Sequence, residues 1–388
     1  MIPIRYNVRS LFVRRATTLA TALGVGLVVF VLGASLMLSA GVKKTMGTSG
    51  SPDVAIVLRK GSDNELGSGI DDPQVMLIKG AAGVARDPNG KELGVGESVV
   101  VTASEKVGAD GVSNLQVRGI PEGGMAFRRK AKIVAGREAK TGTDEAIIGA
   151  RIRGRFKGFD LGESFSIKKN RLVKIVGVFE DDGSSYESEV WADLDTVRTS
   201  FGRPGVSSVR VRLESPSKFD GFKSAIESDK RLGLQTMRES EYFEKQSEGT
   251  SIFIGALGTL VSVFFSLGAM IGAMNTMYAA VANRMREIGI LRAIGFSRSA
   301  ILFSFLLESV FLAMIGGGLG LLACLAMGTV RFSMLNFASW SEMVFSFEPT
   351  PRVLGIAFSF AVGMGLFGGF LPALRAARTN PITAMRGA

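Results

Sequence analysis

Glu308 is the only charge between Ser299 and Val330, in a stretch otherwise built of apolar and small residues. A carboxylate in such surroundings either handles protons or substrate, or is neutralised by a cation within reach. Arg298 lies only ten residues earlier, so pairing with a nearby arginine is the expected role. A second acidic feature is the run Glu180-Asp181-Asp182-Gly183. It could hold a cation, but it lacks the ligand spacing of a calcium loop. A hairpin tip solvated by its own charge is the expected reading. Composition excludes most other chemistry. The chain has no histidine, so there is no His-based catalytic pair, imidazole metal site or imidazole proton switch. The single Cys324 permits neither an intramolecular disulfide nor a thiolate cluster. No GxSxG, HExxH or CxxC motif is present, and no catalytic, cofactor-binding or metal site is expected.

The elements that hold these residues are set by where charge is missing. Arg15 and Lys43 enclose 27 uncharged residues, and Glu248 and Arg284 enclose 35. The stretch around Glu308 is a third, and Val353 to Leu374 adds 22 residues with no charge. A helix needs about 20 apolar residues to cross a hydrocarbon core, so four transmembrane helices are expected. They fall at 16–42, 249–283 (with a stalk), 299–330 and 353–374. The first run is longer than the h-region of a cleaved signal peptide, although Leu38-Ser39-Ala40 faintly resembles a cleavage site.

Arginine placement predicts orientation. Arg5, Arg9, Arg14 and Arg15 precede the first span, and Arg284, Arg286, Arg292 and Arg298 lie between the second and third. Arg375, Arg378 and Arg386 follow the fourth. The 331–352 loop is neutral, with Arg331 and Arg352 against Glu342 and Glu348, and residues 41–250 carry 33 basic and 31 acidic side chains. The net +11 is therefore a topology signal, and it calls for no nucleic-acid partner. Both termini are expected in the cytoplasm and the large insertion outside.

That insertion, 43–248 with a core at roughly 90–205, reads as an α+β domain. Val54–Leu58 and Ser98–Thr102 are β-branched runs, and Leu172–Phe179 alternates before turning apolar. Phe165–Val176 suggests a hairpin turning near Lys169-Asn170. Val209–Leu213, Ser217–Ile226 and Leu234–Met237 read strand, helix, strand, with Ser217 and Asp220 at the helix start. The Gly-rich stretches Lys60–Asp72 and Ala85–Gly96 are expected as exposed loops.

Inside, Ile4, Val8, Leu11 and Phe12 fall at helical spacing, with Arg5 and Arg9 on the flank, which predicts an amphipathic helix (1–15) at the lipid interface. The 284–298 segment carries Ile288, Ile290, Leu291, Ile294 and Phe296 among Arg284, Arg286, Glu287, Arg292 and Arg298. A mixed helix of this kind could dock into a groove on another protein, or its apolar residues could rest on the membrane interface. Gly289 and Gly295 permit close approach or a turn. Gly268/Gly272, Gly316/Gly320 and Gly365/Gly369 each form GxxxG and could seat close helix crossings, including a dimer seam. Pro372 is expected to end the fourth span. Too few spans and no broken inverted repeats argue against an ion-coupled carrier.

The string NTMYAAVANRMREIGILRAIGFSRSAILFSFLLES, from Asn275, resembles the coupling segment of MacB/FtsX/LolC-type permeases of ATP-binding-cassette systems. PALRAARTNPITAMR, from Pro372 to Arg386, resembles the closing motif, and Gly136–Phe201 is similar to the periplasmic core domain. Asn283 stands where relatives often carry an acidic residue. The resemblance implies a homodimer or heterodimer of four-span subunits in the bacterial inner membrane, driven from below by two ATPase subunits. It also implies mechanotransmission, in which stalks above the first two spans reshape the external domain. Export or extraction of a lipid, lipoprotein, peptide or drug is the implied outcome, with a periplasmic adaptor and outer-membrane channel as further partners. An FtsX-like subunit that regulates a cell-wall hydrolase is the alternative. The sequence lacks G-x-x-x-x-G-K-[ST], and only 15 residues precede the first span. ATP and Mg are therefore expected on a separate chain.

Overall fold

The computed structural model describes residues 15–108, 110–168, 171–336, 339–381 and 384. The amphipathic helix expected on Ile4, Val8, Leu11 and Phe12 lies outside them, as does the Lys169-Asn170 turn. Helix α1 (Arg15–Ser49) leads to strand β1 (Val54–Arg59) and short helix α2 (Asp72–Lys79). Strands β2 (Gly94–Glu105), β3 (Val112–Ile120), β4 (Lys132–Gly136), β5 (Glu145–Gly149), β6 (Ser164–Lys168) and β7 (Arg171–Glu180) follow. A 3₁₀ turn over Ser185–Ser188 enters β8 (Glu189–Asp193). Helix α3 (Leu194–Phe201), β9 (Ser208–Arg212), α4 (Phe219–Glu227) and β10 (Leu234–Arg238) come next. The remainder is α5 (Glu239–Asn283), α6 (Met285–Ala293), α7 (Arg298–Met327), β11 (Arg331–Asn336), β12 (Ser341–Ser346) and α8 (Pro351–Arg378).

These elements group into two compact units. One contains Met1–Gly41, Ser251–Val330 and Ser346–Ala388; the other contains Val42–Thr250 and Arg331–Phe345. The first unit holds the apolar helices. Four helices of the chain, Thr17–Ser49, Glu239–Asn283, Arg298–Met327 and Pro351–Arg378, are long and apolar enough to cross a membrane. Glycines set how closely they pack. A Cβ on Gly316 would stand 2.5 Å from the Ala22 carbonyl oxygen, and one on Gly320 2.5 Å from that of Gly26. Backbone therefore meets backbone where α1 crosses α7. Gly365 and Gly369 seat α8 against Ala313 and Ser309 of α7, and the Ser309 hydroxyl donates to the Gly365 carbonyl at 2.7 Å. Gly268 and Gly272 differ: among the described residues no other segment comes within 4 Å of either Cβ position, and both glycines are exposed, so this third motif seats no crossing there. Pro372 does not end its helix, which continues to Arg378. Proline removes one amide and crowds the carbonyl four residues back, but tight packing by neighbouring helices tolerates that in an apolar span.

The second unit is built on a ten-stranded mixed sheet, in the order β10-β1-β9-β2-β3-β8-β5-β7-β4, with β6 on β7. Strands β3–β8 and β5–β7 run parallel, and the other pairs are antiparallel. Leu115, Val117, Ile148, Ile175 and Val190 form one apolar cluster, joined by Val197 of α3. Ala55, Val57, Val209 and Val211 form another, capped by Ile78 of α2 and by Phe219, Phe222 and Ile226 of α4. Strand side chains alternate between faces, so Arg118, Glu189 and Arg210 must point the other way. They do, yet they are buried: Arg210 is 0% exposed and Arg118 1%.

The opposite face carries a buried ionic lattice. Arg118 reaches Glu65 and Glu97 at 2.9 Å and Glu189 at 2.7 Å. Arg210 reaches Glu65 and Glu97 at 2.8 Å and Glu239 at 2.9 Å. Arg128 joins through Glu97 at 2.5 Å and lies 4.5 Å from the Tyr186 ring centre. Burial pushes the Glu65 and Glu97 carboxyls up, but the surrounding guanidiniums outweigh it. Glu65 is held well below the usual carboxylate range, and Glu97 falls to about 2.

The external unit departs from three expectations. The stretch Lys60–Asp72 is not simply exposed, because it delivers buried Glu65, Ser68 and Ile70; Ala85–Gly96 runs into β2 with Val95 buried. Helix α4 starts at Phe219 after a 3₁₀ turn over Pro216–Lys218, and Ser217 bonds Ser215 instead of capping it. The acidic run is no solvated hairpin tip. Asp182 takes a left-handed backbone (φ 53°) and stays exposed, whereas Asp181 is buried beside Ser184, whose hydroxyl donates to it at 2.5 Å.

Burial pushes the Asp181 carboxyl up to about 6, and Ser184, Arg128 and Lys130 offset only part of that. A raised folded pKa means the stabilisation is complete below the unfolded value and is lost as pH rises through about 6. Asp181→Asn, neutral throughout, should therefore stabilise this unit at pH 7.5 by about 1–3 kcal/mol and give little gain near pH 4. Denaturant unfolding followed by fluorescence of buried Trp191 measures this. An equal gain at both pH values would show that the charge is irrelevant.

Candidate coupling site

The segment between the second and third apolar helices is built from a helix break, a short helix and a turn. Helix α5 stops at Asn283, and Arg284 sits outside helical geometry (φ −113°, ψ 16°) before α6 resumes. Past α6, Gly295 adopts φ 107°, which side-chain-bearing residues rarely reach, and the chain reverses there. Ser297 then caps α7, its hydroxyl accepting the Ala300 amide at 3.2 Å.

Arg284 and Glu308 form an ion pair at 3.1 Å, with both side chains largely buried. The pair ties the α5–α6 break to the N-terminal half of α7. A single carboxylate in an apolar span is thereby neutralised by the residue at which the helix bends. Around it, Met277, Val281, Ile288, Ile301, Phe305, Ala373, Ala376 and Ala377 form one cluster, and Leu291 packs against it.

This packing divides the predicted coupling residues. Ile288 is 2% exposed, and Leu291 is half-buried in the same cluster. Both hold α6 against the other helices. Arg286, Glu287, Ile290, Ala293 and Ile294 lie on the opposite stripe and are exposed, Ile290 to 44% and Ile294 to 72%. Their spacing (i, i+1, i+4, i+7, i+8) is one face of a helix. Arg298 is exposed on the first turn of α7, and Phe296 is half-buried. Arg292 turns back, donating to the Phe296 carbonyl at 3.0 Å and closing the turn. Nearby, Arg375 stacks over the Tyr278 ring at 5.6 Å, and the Thr379 hydroxyl lies 3.5 Å from the Met285 sulfur. The Pro372–Arg386 motif thus packs beside α5 and α6 as far as it lies among the described residues. Sequence periodicity could not separate Ile288 from Ile290, because both are isoleucines on a nine-residue helix with no clean polar face.

Residues 16–229 match the model of the MacB-like periplasmic core domain, and residues 259–381 match that of the FtsX-like permease C-terminal domain. The chain belongs to the MacB/FtsX family of ABC-type permeases. It is a membrane protein with a large α+β extracytoplasmic domain inserted after the first apolar helix. The macrolide export ATP-binding/permease protein MacB of Hahella chejuensis is 33% identical over 297 residues, covering 70% of this chain and 43% of that one. MacB of Escherichia coli (strain K12) is 31% identical over 230 residues, 56% of this chain and 34% of that one. The chain therefore spans less than half the length of these relatives. Among solved structures, the extracellular domain of the noncanonical ABC-type transporter YknZ from Gram-positive bacteria aligns at TM-score 0.34 and 20% identity, covering 47% of this chain and 99% of that one. A permease-protein domain from Porphyromonas gingivalis aligns at TM-score 0.32 and 15% identity, covering 47% and 86%.

Proposed function

We propose that this chain is the transmembrane subunit of an ATP-driven export or extraction machine. A separate ATPase docks on α6 and moves the helices, and the helices reshape the external domain. The cargo is a lipid, lipoprotein, peptide or drug collected on the outer side; the macrolide-export name of the relatives fits that class. The working unit is a dimer in the inner membrane, with both termini and α6 on the nucleotide side. A periplasmic adaptor and an outer-membrane channel complete the path where the cargo leaves the cell.

One observation carries this reading: an unbroken helix runs from the external unit to the break at Arg284, beyond which α6 carries an exposed, mixed stripe. Helix α5 has 45 residues and ends one residue before α6. At 1.5 Å per residue it measures about 68 Å, against about 30 Å of hydrocarbon, so it is long enough to serve as both span and stalk. The exposed Arg286/Ile290/Ile294 stripe suits a groove on an ATPase that offers acidic and apolar contacts.

Sidedness tests the proposal most directly. With Cys324 replaced by Ala, an Ile290→Cys chain should react with a membrane-impermeant maleimide only in inverted vesicles, where the nucleotide side faces out. Labelling of Ile290→Cys in intact cells whose outer membrane has been permeabilised would sink the scheme.

A further inference from the structure

Four chain crossings join the external unit to the apolar helices, and they run through three segments: the end of α1, the start of α5, and the hairpin β11–β12 between α7 and α8. Within the external unit all three meet one short turn, Ser185–Ser188. At the end of α1, the Ser49 hydroxyl accepts the Ser185 amide at 2.8 Å and shares a 2.8 Å bond with the Ser185 hydroxyl. At the start of α5, Glu239 accepts the Tyr186 hydroxyl at 3.1 Å, and the Phe243 ring packs edge-on to Tyr186 at 5.7 Å. From β12, the Val344 amide donates to the Ser188 hydroxyl at 3.1 Å. Arg151 pairs with Glu187 at 3.1 Å and donates to the Val344 carbonyl at 2.6 Å. Four consecutive residues thus hold three separate segments, and all four are buried.

A joint at this turn would act on the middle of the sheet. Ser188 runs directly into β8, a central strand paired in parallel with β3 and antiparallel with β5. The first residue of β8, Glu189, grips Arg118 of the ionic lattice. Glu239 belongs to the turn's contacts and to that lattice at once, through Arg210, and it also accepts the Ser51 amide at 3.1 Å. A displacement of either helix end would thereby meet the sheet through short, directional, mostly buried bonds, not through a flexible tether.

We propose that the Ser185–Ser188 turn is a fixed joint through which movements of the membrane helices enter the external sheet. The inference rests on the mechanotransmission reading, and the test separates the two. The full chain, in complex with its co-purifying ATPase in lipid nanodiscs, is compared by hydrogen–deuterium exchange without nucleotide and trapped with ATP and vanadate. The variant Ser185→Ala/Tyr186→Phe/Ser188→Ala deletes three hydroxyls and keeps the ring contacts. In this variant the nucleotide-dependent change across 42–250 should be lost, while that in 285–293 persists. If the wild-type complex shows no change across 42–250, the reading itself fails. If wild type and variant change alike, the reading stands and the joint is overturned. Should the triple variant not fold, Ser49→Cys/Ser185→Cys in a Cys324→Ala background decides. A fixed joint tolerates the disulfide, with the change across 42–250 retained under oxidising conditions and unaltered on reduction. A disulfide that abolishes the change, reversibly with reductant, means this contact must open, and the proposal falls.

Discussion

Placing aspartate at both Ile290 and Ile294 should abolish co-purification of the chain with its ATPase while leaving membrane insertion and the size-exclusion profile unchanged. Both side chains are exposed on one stripe of α6, so the fold loses nothing by the change. A docked partner loses two apolar anchors, each worth about 1.5–3 kcal/mol when buried. It must also desolvate two carboxylates. A combined loss of about 3 kcal/mol or more corresponds to roughly a hundredfold in affinity, enough to empty a complex during washing. Ile288→Asp is the informative contrast. It puts a charge into the Met277/Val281/Phe305 cluster, and it should reduce the yield of folded chain instead of selectively releasing the ATPase. If Ile288→Asp folds normally and alone releases the partner, the assignment of faces on α6 is reversed.

Removing Arg118 should be the most damaging single change in the external domain. Its guanidinium meets Glu65, Glu97 and Glu189, and all four side chains are buried. Arg118→Met keeps much of the volume but leaves Glu65 and Glu97 to Arg210 and Arg128, and leaves Glu189 with the neutral donors Gln116 and Trp191. Breaking a buried pair by deleting one partner costs about 3–5 kcal/mol, because the surviving charge can neither pair nor hydrate. The loss should also depend on pH. Glu65 and Glu97 have depressed carboxyls, so their contribution is present above the unfolded value near 4 and is lost as pH falls below it, for Glu97 through about 2. Arg118→Met should therefore be most destabilising at neutral pH and least so near pH 3. Urea unfolding of wild type and variant at both pH values, read from Trp191, measures the difference; a penalty that does not depend on pH would mean that lost packing, not lost charge, is responsible.

Both experiments concern residues whose identity was plain from the start and whose neighbours were not. The four apolar spans, the α+β insertion and its principal strands come from local patterns: uncharged runs longer than a bilayer needs, and β-branched alternation. Those signals are dense because hydrocarbon and sheet pleat each constrain nearly every residue in turn. The 284–298 segment was also legible, as a mixed helix between the second and third spans, although which isoleucines it shows outward was not. That depends on whether α7 and α8 are near enough to cover Ile288, and periodicity on nine residues carries no such information.

The lattice around Arg118 and Arg210 is the clearest case of what folding alone decides. Val209-Arg-Val-Arg-Leu213 has the alternation of a strand with one wet face, and its arginines look like that face. Glu65 comes from a Gly-rich loop and Glu239 from the start of a membrane helix, at distances along the chain that no local rule connects. Only tertiary contact brings these carboxylates onto the guanidiniums and makes their burial tolerable. Composition and spacing determined that this chain is a four-span membrane protein with a large external domain and a short helix of mixed charge between its second and third spans. Which faces close, which remain open, and the gathering of Ser49, Glu239 and Val344 on one turn were decided by packing. Burial is a property of pairs of segments, and pairs are not written in either segment by itself.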